Sequence, residues 1–171
     1  MNYRLIAIAL TATLLAGCGF HLRKALRLPE NLGPVRVTAS DRYSPLADTL
    51  AEGLQRAGAV PAAEDTKDEV AILAIVSEQW ADTPISMDQF GRAQEFTLRY
   101  AVIFSLKRAD GEMLVPQQAI ELSRDYLAPA VDSIGKTAER ELLVRELRRD
   151  MAAAVLRRVD AVSSQRTPAS P

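Results

Sequence analysis

From Glu95 to Lys107 the chain alternates with a period of two. Phe96, Leu98, Tyr100, Val102, Phe104 and Leu106 share one parity. Glu95, Thr97, Arg99, Ser105 and Lys107 hold the other, interrupted only by Ala101 and Ile103. Successive side chains of an extended strand point to opposite faces, so this segment predicts a long strand covered on one side only. The fold must therefore supply an apolar layer for that one face.

Two amphipathic helices can supply it. Ser44 is a good N-cap residue, Pro45 suits the first helical position, and Leu46, Leu50, Leu54 and Ala57 recur at helical spacing up to Gly58, which can close the helix. A second, longer helix is expected at some point after Ser133 and up to about Val162, with Leu143, Leu147, Met151, Ala154, Val155, Val159 and Val162 as its buried stripe. The remaining segments read as strands. Val35, Val37 and Ala39 alternate with Arg36, Thr38 and Ser40. Val70–Val76 is apolar at both parities and continues through Trp80 to a break near Pro84. A further strand runs from about Gln118 to Tyr126, with Arg124 interrupting its apolar side. Turns are expected at Asp88–Arg92 and at Asp110-Gly111. The order strand, helix, three strands, helix predicts an α+β, two-layer sandwich, with two helices packed on one face of a four-stranded mixed sheet. The first two strands can be parallel through a crossover, and the later ones form antiparallel hairpins.

The chemical inventory is thin. The 171 residues carry a net charge of −1, one cysteine and one histidine. No global field favours nucleic acid or an anionic membrane, and neither an internal disulfide nor a cysteine-cluster metal site can form. His21 sits in a tether, without the pocket and orienting partner a catalytic histidine needs. No nucleophile elbow, phosphate-binding loop or zinc-protease motif occurs, so no catalytic residue, cofactor or metal is expected. On the last helix Glu139, Glu141, Glu146 and Asp150 interleave with Arg140, Arg145, Arg148 and Arg149, which reads as a solvated face with some i,i+4 pairs. Trp80 reads as packed at a strand end. Two basic residues borne on connections, Arg92 at the turn before the long strand and Lys136 in the loop entering the last helix, have the chemistry to meet phosphate or carboxylate groups.

The N-terminus carries an address. Arg4 is followed by an apolar run from Leu5 to Ala16 and by Leu15-Ala16-Gly17-Cys18. That run falls short of the roughly 20 residues a spanning helix needs and has the layout of a secretory signal peptide. Leu-Ala-Gly-Cys resembles the lipobox of bacterial lipoproteins, in which cleavage precedes the cysteine and the cysteine is acylated. The resemblance implies a signal peptide over residues 1–17 and acyl chains on Cys18; the residue pattern behind it adds a tether over 18–33, one α+β domain over 34–162 and a disordered Ser/Pro-rich tail over 163–171. More than one acyl chain suffices for stable anchoring.

The run Gly17-Cys18-Gly19-Phe20-His21-Leu22-Arg23, with Leu28-Pro29 after it, resembles the mature start of the lipopolysaccharide-assembly lipoprotein family LptE, also called RlpB. The Leu46–Gly58 helix, Glu95-Phe96-Thr97-Leu98, Ser123-Arg124-Asp125-Tyr126 with Pro129, and the long last helix are similar to its later segments. The resemblance implies two helices on a four-stranded sheet and a non-enzymatic job. Family members sit inside the outer-membrane β-barrel LptD, help it assemble, and bind lipopolysaccharide on its way to the outer leaflet. Basic residues near the turn before the long strand and before the last helix are implicated in that binding, and Arg92 and Lys136 are the nearest positions. Gly19 lacks the aspartate associated with inner-membrane retention, which implies the periplasmic face of the outer membrane. The alternative is a membrane-anchored periplasmic binding module, such as an auxiliary lipoprotein of a lipid-transport ATPase.

Overall fold

The computed structural model describes residues 26, 28–29, 32–63, 65–66, 69–127 and 133–166, with side chains of the last segment described over 138–162. In chain order the elements are β1 (Val35–Ala39), α1 (Pro45–Arg56), β2 (Ala71–Met87), β3 (Ala93–Lys107), β4 (Met113–Leu127) and α2 (Ser133–Arg166). The strands lie in the order β1-β2-β3-β4. β1 runs parallel to β2, while β2, β3 and β4 form an antiparallel meander. The mixed sheet and the two helices on one of its faces are the expected sandwich.

Local chemistry sets the ends of α1. The Ser44 hydroxyl accepts from the Ala47 N–H at 3.3 Å, and Pro45 follows at the first helical position. At the other end the Gly58 and Ala59 N–H groups donate to Gln55 O and Leu54 O, both at 2.9 Å, with Gly58 at φ 93°. That is the paired closure of a Schellman motif, and it needs a residue at ease in the left-handed region. Leu46, Leu50 and Leu54 are buried, as their spacing requires.

On β3 every even residue from Leu98 to Leu106 is buried, and these meet Leu73 and Ile75 of β2 and Leu147, Met151, Val155 and Val159 of α2. Each such side chain contributes roughly 1.5–3 kcal/mol through burial. The odd parity of β3 points to the other face, which no helix covers; there Arg99 donates bidentately to Glu121 of β4 at 2.7–3.0 Å, and Thr97 donates to Asp125 at 2.6 Å. Where α1 and α2 meet, Gly53 is buried, and a Cβ built there would stand 2.6 Å from Leu156 Cδ1.

Several expected boundaries move. β2 does not break at Pro84 but continues to Met87, pairing Pro84 with Phe96. β1 covers β2 only from Ala71 to Ile75, so the missing proline N–H falls on an edge where no bond was available. β4 begins at Met113, and α2 extends over Ser163–Arg166. Lys136 lies within the first turn of α2 rather than in a loop before it.

Candidate functional site

The β2–β3 hairpin ends in a turn organised by Asp88. Its Oδ1 accepts from the backbone N–H groups of Phe90 at 2.8 Å and Arg92 at 2.9 Å; its Oδ2 accepts from Arg92 Nε at 2.7 Å and Gln94 Nε2 at 3.3 Å. Arg92 Nη2 also lies 2.7 Å from Oδ2. Gly91 takes φ 74°, the left-handed conformation this reversal needs. The Arg92 N–H above all, then its guanidinium and the Phe90 N–H, favour the Asp88 carboxylate; partial loss of water opposes them, and the pKa is lowered to about 2. The sequence offers a signal for this turn in Asp88-Gln89-Phe90-Gly91-Arg92, since an aspartate that bonds the backbone two residues on builds an Asx-turn.

Arg92 is exposed, with Nε and Nη2 committed to Asp88, and Nη1 carries two further N–H donors. Its guanidinium also sits 5.1 Å from the centre of the Phe90 ring. Around it the end of the sheet is apolar and open. Phe90 is 71% exposed, Met87 65%, Leu127 59% and Ile85 51%. Single exposed apolar residues need no explanation, but four at one end of a sheet form a surface suited to a lipid or a partner. Below them Ile85, Glu95, Asp125, Tyr126, Leu127 and Glu139 line an open cleft of about 360 Å³. Its three carboxylates disfavour a phosphate inside the cleft, so an anionic group would be met at the tip.

The first turns of α2 are held to this same end. Arg140 donates to Asp82 of β2 through Nη2 at 2.7 Å and Nε at 3.2 Å, and the Tyr126 hydroxyl donates to the same carboxylate at 2.9 Å. Burial, then the bond to Asp82, raises the Tyr126 pKa; the bond to Asp82 raises that of Arg140. Lys136 stands one turn before Arg140 in α2. The Lys136 side chain, Cys18 and His21 lie outside the described residues.

The charged side of α2 is not simply a solvated face. Arg140 reaches Asp82, Asp150 pairs with Arg124 of β4 at 2.8 Å, and the Arg148 guanidinium sits 5.6 Å from the centre of the Trp80 ring. Arg124 interrupts the apolar parity of β4 because α2 carries its partner. Trp80 stacks on Tyr100 at 3.8 Å, and the Tyr100 hydroxyl donates to Glu78 Oε1 at 2.8 Å. Glu78 Oε2 accepts from the α1 cap, Ser44, at 2.7 Å. These bonds join both helices to β2. Among the described residues no cluster of histidine, cysteine, aspartate and glutamate could hold a metal ion, and no helix is long and apolar enough to cross a membrane.

Comparison with known proteins gives this surface a context. The family model described as LptE, lipopolysaccharide-assembly, matches residues 32–159. The chain is 29% identical over 161 residues to the LPS-assembly lipoprotein LptE of Photorhabdus laumondii, covering 93% of this chain and 87% of that one. It is 26% identical to the protein of the same name from Pectobacterium atrosepticum, covering 93% and 86%. The crystal structure of rare lipoprotein B from Shewanella oneidensis superposes with a TM-score of 0.66 at 25% identity, over 78% of this chain and 98% of that one. The solution structure of lipoprotein B from Nitrosomonas europaea gives 0.69 at 28% identity, over 85% and 93%.

Proposed function

The chain belongs to the LptE family of lipopolysaccharide-assembly lipoproteins, which are not enzymes, and we propose that it is anchored in the outer membrane through acylated Cys18, plugs the barrel LptD and contacts lipopolysaccharide in transit. The observation that carries the plug reading is the division of the sheet. One face is sealed by both helices, whereas the other is left open and set with Thr97, Arg99, Ser105, Glu121 and Asp125 among small and aliphatic residues. Barrel interiors are polar, and a rigid slab whose open face carries fixed hydrogen-bonding pairs suits such a lumen. The test is purification of the chain from native outer membranes in mild detergent. A β-barrel of the size of LptD is expected to co-purify. Recovery of the chain alone would overturn the plug reading.

Lipopolysaccharide contact is assigned to the hairpin end. Arg92 offers two N–H donors to a phosphate or carboxylate there, and Phe90 and Met87 offer apolar surface beside it. Arg92→Glu and Lys136→Glu are each expected to weaken binding of lipopolysaccharide by the acylated chain while it stays folded, the loss of the exposed Arg92–Asp88 pair costing little stability. Unchanged affinity in both would remove these residues from the function.

A further inference from the structure

A second basic surface lies far from the hairpin end. Beside their contact at Gly53, α1 and α2 leave an open groove of about 730 Å³. Leu26 and Leu156 contribute apolar surface, and Arg56, Arg149 and Arg157 line the groove with a single carboxylate, Asp160. A volume of this order lies in the range of small-ligand pockets. It has room for one headgroup and the start of its chains, not for a multiply acylated glycolipid. Three guanidinium groups beside an apolar floor have the chemistry of a site for an anionic amphiphile: bidentate donors for a phosphate, apolar carbon for the adjoining methylenes.

Placement identifies the source of that amphiphile. Leu26 lines the groove, and Cys18 precedes it by eight residues. At about 3.5 Å per residue, even a fully extended tether spans no more than about 28 Å. On the reading that Cys18 is acylated, the groove is therefore held within reach of the headgroups of the leaflet carrying the anchor. We infer that the groove between α1 and α2 binds an anionic phospholipid of that leaflet, with Arg56, Arg149 and Arg157 on its phosphate and Leu26 and Leu156 against its acyl carbons. The bound lipid would give the domain a second contact with that leaflet, beside the anchor.

The experiment uses the full acylated chain in detergent, titrated with phosphatidylglycerol, phosphatidylcholine or lipid A and read by native mass spectrometry. The mass of the purified chain reports acylation of Cys18 separately, so failure of the anchor reading and failure of the groove reading are distinct. One phosphatidylglycerol is expected to be retained in preference to phosphatidylcholine. One arginine beside an anionic surface is worth roughly fivefold in affinity, so Arg149→Glu/Arg157→Glu is expected to lower retention at least tenfold. Both residues are exposed, and Arg149→Gln/Arg157→Gln gives the same reading without charge reversal. Lys107→Glu, on the uncovered sheet face, is expected to change nothing. Equal retention of phosphatidylcholine, preference of the groove for lipid A, or unchanged retention in both double variants would each overturn the inference.

Discussion

Replacing Glu78 by alanine perturbs the point at which the α1 cap, the core tyrosine and β2 meet. The carboxylate accepts from Tyr100 at 2.8 Å and from Ser44 at 2.7 Å. Tyr100 is fully buried and Ser44 is 2% exposed, so neither hydroxyl can turn freely to water. Hydrogen bonds to a charged group contribute about 1.5–3 kcal/mol each, and an orphaned buried donor costs about 1–3 kcal/mol. Ser44 keeps its role as acceptor from the Ala47 N–H, which limits its share. Assigning about 2 kcal/mol to the tyrosine bond and about 1 kcal/mol to the serine bond gives a loss of about 3 kcal/mol. For a chain of this length that lowers Tm by about 6–12 °C. Urea unfolding and thermal melts, followed by circular dichroism, measure both. Glu78→Gln keeps one carbonyl acceptor and is expected to lose about 1 kcal/mol. A double-mutant cycle with Tyr100→Phe should return a coupling of about 1.5 kcal/mol, since the two partners share one bond. A loss below about 0.5 kcal/mol with additive single effects would refute the reasoning. It would mean that water replaces the half-buried carboxylate at no net cost.

Three further outcomes follow from the same geometry. Burial, with the Glu78 carboxylate beside it, holds the Tyr100 pKa well above its ordinary value of 10.0, and Tyr126 is raised as well; their stabilisation is complete below about pH 10 and is lost as pH rises past it, because the unfolded chain releases protons the folded one retains. The unfolding free energy from urea titrations should fall above pH 10 by about 1.4 kcal/mol per pH unit for Tyr100, and this part of the slope should vanish in Tyr100→Phe. The Asp88 carboxylate should titrate near 2 by carbon NMR, with the hairpin turn ordered at pH 4 and loosened only as pH falls through that value; a midpoint near 4 would show that the bonds from Phe90 and Arg92 do not persist. Gly53→Ala gains about 1 kcal/mol of helix propensity and must turn aside one terminal methyl of Leu156, at about 0.5–1.5 kcal/mol, so stability should stay within about 1 kcal/mol. Gly53→Leu should destabilise by about 1–3 kcal/mol through overpacking.

What was legible in the sequence was whatever depends on a period. The alternation of β3 and the leucine spacing of α1 gave their buried faces at Leu98–Leu106 and at Leu46, Leu50 and Leu54, with Phe96 and Ala57 half-buried at the margins, and Ser44, Pro45 and Gly58 gave the ends of α1, because these signals are local. Pro84 misled because a proline N–H matters only where a neighbouring strand would use it, and β1 stops short of that position. The charges of α2 misled for a related reason. Spacing along one helix shows which residues could pair on that helix, but it cannot show that Asp82 and Arg124 arrive from the sheet. The candidate site was legible to the same extent. The turn bearing Arg92 follows from Asp88 and Gly91, whereas the four exposed apolar residues around it belong to β2, its turn and β4, and meet only in the fold. The groove arginines, from α1 and α2, carry no common sequence signal.

The two basic surfaces also differ in where they stand along α2. Its hairpin end is fixed by Arg140, and Arg157 in the groove lies 17 residues further on, which at 1.5 Å per residue is about 25 Å. That exceeds the roughly 8 Å screening length at physiological ionic strength, so an anion held at one surface does little to the potential at the other. Coupling through motion of α2 is opposed by the Asp82, Arg124 and Trp80 contacts, which tie the helix to the sheet along its first half. Such an arrangement suits a domain that keeps one lipid while another passes. The groove lipid would give the domain a second contact with the leaflet, and the hairpin end would bind and release its cargo without loosening that hold. Energetic independence then becomes the expected signature. Lipopolysaccharide affinity measured with and without phosphatidylglycerol should agree within about twofold, a coupling below about 0.5 kcal/mol, and a larger shift would place both ligands on one surface.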